Sequence, residues 1–247
     1  MALATKTAAV RTPTTTTPPT APTPPTTTPT AGSIEIPGDQ IANPEFGGQA
    51  DDATIERTAA ALRAKGYAVH VVENGVAAKD LIVGLIPQGA EISQGASETL
   101  EDIGVTAEIE QPGRFDAVRP RTRAMDRTTA EGVRGMRKLG AAPDYYVVSA
   151  QALVEDGTIV VASNTGSQLA PVSFGAGEVI FAIGSQKIVP DLATAFRRID
   201  EHSLPLEHAR MQKLWGVNSA VRKLLVIRGE SRPARITVVL IKEAVGA

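Results

Sequence analysis

Ala90-Glu91-Ile92-Ser93-Gln94-Gly95-Ala96-Ser97-Glu98-Thr99-Leu100-Glu101-Asp102-Ile103-Gly104 carries three structural signals in succession. Residues 90–93 read as a short strand, Gly95-Ala96-Ser97 as a tight junction, and 97–103 as a helix opened by a serine cap. A strand that runs straight into a helix is half of a crossover unit, which joins parallel strands. The alternation extends outward on both sides. Towards the N-terminus, 54–66 reads as an amphipathic helix, 67–72 as a strand and 76–85 as a helix stopped by Pro87. Towards the C-terminus the pattern predicts strands at 105–109, 145–149, 158–162 and 178–183. It also predicts a long helix over 119–139 and a helix over 191–200, and the last strands fall at 224–227 and 236–241. Short apolar strands separated by helices predict an α/β fold, a largely parallel sheet flanked by helices. The clustered final strands add a mixed edge or small C-terminal subdomain.

Composition limits the function classes. The 247 residues are 43% hydrophobic and 21% charged, enough for a packed core. The formal net charge of -2 argues against a chain built to coat nucleic acid or an anionic membrane. One Trp, three Tyr and five Phe leave little for a base-stacking platform. With no Cys, the chain has no disulfide, no thiolate nucleophile and no thiolate ligand for zinc or an iron–sulfur cluster. Between Arg11 and Thr30 every residue except Arg11 and Ala21 is Thr or Pro, so residues 1–48 are expected to form a disordered arm, with the α/β domain at 49–247. No aliphatic run approaches a membrane span, and the first residues lack a secretory apolar region, so a cytoplasmic protein is expected.

Three places can carry chemistry. Ser97 and Thr99 follow Gly95 at a strand-to-helix junction, which serves either as an ordinary capped helix start or as a cradle for a phosphate or carboxylate. Glu155-Asp156-Gly157 precedes the strand at 158–162, and Asn164-Thr165-Gly166-Ser167 follows it. The first reads as a tight turn or a catalytic carboxylate, and the second sits where open α/β sheets bind ligands. Arg119, Arg123 and Arg127, with Arg121, Arg134, Arg137 and Lys138, form a basic helix face, either simply hydrated or facing an anion or acidic partner. His70, His202 and His208 show no metal-ligand spacing, so no metal site is expected.

Taken together, several segments resemble the LUD domain family, the lactate-utilisation protein C type or DUF162. They are the stretch 95–104, Glu155-Asp156-Gly157-Thr158, Asn164-Thr165-Gly166-Ser167, Ile183-Gly184-Ser185-Gln186-Lys187-Ile188-Val189-Pro190 and the closing 235–243. The likeness spans about 51–247 in order and leaves the Thr/Pro arm outside. It implies a fold like that of ribose-phosphate isomerases, glucosamine-phosphate deaminases and CoA transferases. It also implies a role in converting L-lactate, or a related organic acid, to its keto form beside iron–sulfur partner proteins, with no cofactor bound by this chain itself. The chain departs from the family pattern in two places: Leu214-Trp215-Gly216-Val217-Asn218 stands where many relatives carry cysteines, and Asn164-Thr165-Gly166-Ser167-Gln168 replaces the commoner Gly-Thr-Gly-Asn-Arg.

For individual residues, the likeness to the nucleophile turn of CoA transferases makes Glu155 the candidate catalytic carboxylate, as nucleophile or general base. Gly95, Ser97, Thr99, Asn164, Thr165 and Gly166 become candidate ligand-binding residues, with the hydroxyls and amides facing an anion. Lys187 is either a further anion contact or a side chain paired with Asp191. Three functions follow: a subunit of organic-acid oxidation, a stand-alone transferase or isomerase using Glu155 on a CoA ester or sugar phosphate, and a non-catalytic anion-binding or regulatory module. None of them calls for nucleic acid or a membrane.

Overall fold

A computed structural model of the chain describes residues 41–247. The Thr/Pro run, with the expectation of an extended arm over it, lies outside the described residues. Among these residues the strands are β1 (Ala68–Val72), β2 (Glu91–Gln94), β3 (Asp116–Ala117), β4 (Tyr145–Val148), β5 (Ala152–Val154), β6 (Ile159–Ser163), β7 (Glu178–Gly184), β8 (Ile188–Val189), β9 (Lys223–Ile227) and β10 (Ile236–Ile241). The helices are α1 (Asp52–Ala64), α2 (Gly75–Leu85), α3 (Glu98–Asp102), α4 (Val105–Glu110), α5 (Val118–Arg123), α6 (Ala130–Ala141), α7 (Leu192–Arg198) and α8 (Leu204–Trp215).

Six strands pair in the order β1-β10-β7-β4-β2-β3, every pair parallel, and the other four form a mixed sheet in the order β8-β5-β6-β9. Side-chain alternation explains the layers. Val147, Ile180, Ala182, Val239 and Ile241 face one way and bury against Ala78 and Ile82 of α2, Leu100 of α3, and Val105 and Ile109 of α4. Val148, Phe181, Val238 and Leu240 face the other way, against Ile55 and Leu62 of α1 and against Leu153, Ile159 and Val161 of the mixed sheet. The far side of that sheet packs Ala152, Val154, Val160 and Ala162 on Ala195, Ile199 and Phe46.

The expected α/β architecture with a parallel sheet is present, with four local differences. Residues 105–109 are helical: Val105 and Ile109 are buried one helical turn apart while Ala107 is exposed, a period near four rather than two. The long helix over 119–139 is broken between α5 and α6, because the Asp126 side chain accepts from the Thr128 backbone N–H at 2.8 Å and Thr129 Oγ1 caps Gly132 N at 3.0 Å. These local bonds compete with the helix ladder. β10 is no edge strand; it lies between β1 and β7, with apolar side chains buried on both faces. Finally, the folded part begins before residue 49. Phe46 is buried, and Asn43 Nδ2 donates to Glu201 Oε2 at 2.8 Å.

Candidate functional site

All carboxyl ends of a parallel sheet lie on one side. Here that side gathers the junction after β2, Ser149 after β4, the turn Ser185–Lys187 after β7 and the stretch 242–247 after β10. The turn after β7 carries Lys187 into the interior, where it is 2% exposed. Its Nζ donates to Thr99 Oγ1 at 2.8 Å and to Ser149 Oγ at 3.3 Å. No carboxylate makes an ion pair with it among the described residues; in particular, Asp191 instead caps α7 through Thr194 N at 2.7 Å. Burial, and next the nearby Arg198 charge, push the Lys187 ammonium down to about 7, against a weaker pull from Glu98 and Asp102 on α3.

Arg198 is the second cation. It is 0% exposed, the largest fully buried side chain among the described residues. Its Nε donates to Gln186 O at 3.3 Å, and its Nη1 to Ser203 Oγ at 2.8 Å and to Gln151 O. Among the described residues its Nη2 has no partner, and burial alone lowers its pKa to about 10. Buried polar groups are nearly always satisfied, so an orphaned guanidinium nitrogen is informative. Among the described residues four further buried atoms are also unpartnered, Gln186 Oε1, His208 Nδ1, Gln94 Oε1 and Thr106 Oγ1. The first belongs to the turn after β7, the second to α8, the third to the end of β2 and the fourth to α4.

The structure brings some of the expected residues together and separates others. Thr99 and Lys187 touch directly. Ser97 caps α3, accepting from Leu100 N at 3.4 Å. Gly95 lies against the same strand ends: a β-carbon there would stand 3.1 Å from Val148 Cγ2 and 3.4 Å from Tyr146 OH and Gln168 Oε1. Asn164, Thr165 and Gly166 form a turn at the end of β6 in the mixed sheet, tied by Gly166 N to Ser163 Oγ at 2.9 Å and by Lys223 Nζ to Thr165 O at 2.6 Å. Only Gln168, two residues on from that turn, reaches back to Gly95.

Glu155 sits at the other end of β6, in the β5–β6 hairpin turn. Gly157 there has φ +85° and packs on the α1 backbone. The Glu155 carboxylate faces Arg57 at 3.5 Å near solvent, and Asp156 faces Lys65 at 3.2 Å. The Glu155 backbone N–H donates to Val189 O at 2.9 Å, but its carboxylate is not among the charges that act on Lys187. The basic row is internally neutralised in α5, whereas Arg134, Arg137 and Lys138 in α6 make no ion pair among the described residues. Arg121 pairs with Glu91 at 2.6 Å, and Arg123 and Arg119 share Glu110 at 2.7 and 3.8 Å.

Ser149 and Arg198 were not singled out by motif reading. Arg198 did leave a trace, since Ala195, Arg198, Ile199 and His202 follow the spacing of a buried helical stripe and all four are buried. Among the described residues no cluster of three or more His, Asp and Glu converges to hold a metal ion, and no helix is long and apolar enough to cross a membrane. A concavity of about 410 Å³ lined by Ile86, Gln88 and residues 111–115 opens at the amino ends of β2 and β3, away from the buried cations. A cleft of about 190 Å³ lined by Glu98, Asp102, Leu206, Gly246 and Ala247 lies on the carboxyl side.

Comparison with known proteins gives one family. The model of the LUD domain matches residues 55–247. A solved structure described as a DUF162 family protein from Deinococcus radiodurans is 11% identical, with a TM-score of 0.48, over 76% of this chain and 96% of that one. No curated protein matches significantly. The match to the LUD model over most of its length, the whole of both sheets included, places the chain in the LUD domain family.

Proposed function

We propose that this chain binds a small organic-acid anion at the carboxyl ends of β2, β4 and β7 and serves in the utilisation of L-lactate, or a related 2-hydroxy acid, beside iron–sulfur redox partners. One observation carries the binding reading. Lys187 and Arg198 are both buried, the Arg198 charge acts on Lys187, and among the described residues neither has a carboxylate partner. Burying cations without a counter-ion is costly, by several kcal/mol per ion even after relaxation. A carboxylate arriving from outside supplies the missing charge, and the free Nη2 of Arg198 supplies a donor for it.

The organic-acid assignment rests on the family likeness. Oxidising a 2-hydroxy acid to a 2-oxo acid releases two electrons and two protons. A chain without cysteine offers no thiolates for a cluster, so this reading sends the electrons to a separate protein. The role left to this chain is to hold and orient the acid, with Thr99 and Ser149 hydroxyls beside Lys187 Nζ to receive its polar atoms.

The test is thermal unfolding and titration calorimetry of the full chain with L-lactate and pyruvate, and with their neutral amides as controls. An acid at a hundred times its dissociation constant adds about 2.7 kcal/mol of stability. The expected result is binding of the acids, no binding of the amides, and loss of binding in Arg198→Met. Equal stabilisation by acid and amide would refute the reading.

A further inference from the structure

A lysine that only holds charge normally pairs with a carboxylate or reaches water. Lys187 does neither. Its Nζ is met by two hydroxyl oxygens, Thr99 Oγ1 at 2.8 Å and Ser149 Oγ at 3.3 Å, in a site closed to solvent. Behind it the Arg198 guanidinium has one nitrogen free to receive an anion. A desolvated amine beside a second cation is a recognised way to make lysine a nucleophile towards carbonyl compounds.

We propose that Lys187 condenses with the carbonyl carbon of a small 2-oxo acid to form an imine at Nζ, while Arg198 receives the carboxylate. The inference rests on the anion-binding reading above and narrows the ligand class. The neutral amine adds its lone pair to the carbonyl carbon, and the carbonyl oxygen takes up the proton that the nitrogen loses. The resulting hydroxyl takes up the second nitrogen proton and leaves as water as the nitrogen lone pair closes the carbon–nitrogen double bond. No electrons are exchanged with a third party. Thr99 and Ser149 stand where a hydroxyl can pass the proton from nitrogen to oxygen. A 2-hydroxy acid, having no carbonyl, binds without condensing.

The surroundings of Nζ leave about half of the amine neutral at pH 7. Burial, and after it Arg198 on α7, oppose its protonation and together outweigh Glu98 and Asp102 on α3, which favour it, leaving the pKa at about 7. At pH 7 the neutral fraction then exceeds that of an ordinary lysine on the order of a thousandfold. Residues 242–247 lie against the site. Val245 O accepts from Thr99 Oγ1 at 3.3 Å, and both Val245 O and Gly246 O accept from Gln186 Nε2 at 2.9 Å. The cleft lined by Glu98, Asp102 and Gly246 lies beside this segment.

The experiment incubates the full chain with pyruvate and cyanoborohydride, which fixes an imine as a stable secondary amine, and maps the label by peptide mass spectrometry. Exchange of the pyruvate carbonyl oxygen with heavy-oxygen water is followed in parallel. The expected result is label on Lys187 exceeding that on the exposed Lys138 and Lys213 by at least about tenfold. Exchange should be accelerated over buffer and lost in Lys187→Met, and L-lactate should give no label. Calorimetric binding of pyruvate with neither label on Lys187 nor accelerated exchange overturns the imine and leaves the anion site standing. Absence of binding, label and exchange together overturns both. The labelling and exchange arms use the unaltered protein, so the test does not depend on the variant folding.

Discussion

Lys187→Met replaces a buried ammonium with an apolar side chain of similar length, and its effect on stability must change sign with pH. In the unfolded chain the lysine titrates near its ordinary 10.5, whereas in the folded protein it titrates at about 7. Below pH 7 both states carry the proton, and the folded state bears the full burden of a buried charge. Between 7 and 10.5 the unfolded state binds a proton that the folded state does not, so stability rises with pH across this window, and above it the contribution is constant. At about 1.4 kcal/mol per unit, the burden at low pH is on the order of 5 kcal/mol. The substitution removes it but leaves Thr99 Oγ1 and Ser149 Oγ without their donor, at a cost of about 1 kcal/mol each. Urea unfolding of the two unliganded proteins should therefore find the variant more stable by about 2–3 kcal/mol at pH 6 and less stable by about 1–2 kcal/mol at pH 10. His202, which lies near both cations, has its pKa lowered mainly by burial and least by Lys187, so it titrates in both proteins and adds little to the difference. A stability difference that stays constant from pH 6 to pH 10 would refute the buried, unpaired lysine.

Further expectations follow from the same geometry. Arg198→Met orphans Gln186 O, Gln151 O and Ser203 Oγ, so it should destabilise the chain by about 2–4 kcal/mol in denaturant unfolding, and pyruvate should restore none of the loss. Glu155→Gln removes only the solvent-screened pair with Arg57, so it should change stability by less than about 1 kcal/mol and leave pyruvate affinity unaltered in calorimetry. Loss of binding there would return the carboxylate to the site. Gly157→Ala forces a side chain onto a residue with φ +85°, with its β-carbon 3.0 Å from the α1 backbone. A loss of at least about 1 kcal/mol in thermal unfolding is expected, and a neutral result would contradict the packed hairpin.

The sequence showed the fold where periodicity is local and failed where tertiary context decides. The strand–Gly95–helix junction and the cap at Ser97 were readable, because a cap and its helix lie within a few residues of each other. Val105 to Ile109 was not: a β-branched run with so few apolar positions fits both periods, and only burial of Val105 and Ile109 on one face selects the helix. The central place of β10 was hidden for another reason, since strand order is a property of packing between distant segments. Among site residues, Thr99 and Lys187 lie 88 positions apart, yet each was noticed for its own setting. Arg198 escaped notice because a charged residue on a helix is ordinarily exposed; its place in the stripe with Ala195, Ile199 and His202 was the one local sign, and no local pattern shows that it lacks an acid.

The central claim is that an incoming carboxylate neutralises the buried Lys187 and Arg198. Titration calorimetry of pyruvate into the full chain at pH 8, repeated in buffers of different ionisation enthalpy, tests it most directly, because a carboxylate beside Lys187 must raise the lowered pKa of that amine. The noncovalent complex should take up a fraction of a proton, measured with L-lactate, and bind more weakly as pH rises from 7 to 9. Pyruvate, if it condenses, should show less uptake than lactate at the same pH. Binding of both acids with no proton uptake and no pH dependence, unchanged in Lys187→Met, would contradict the account.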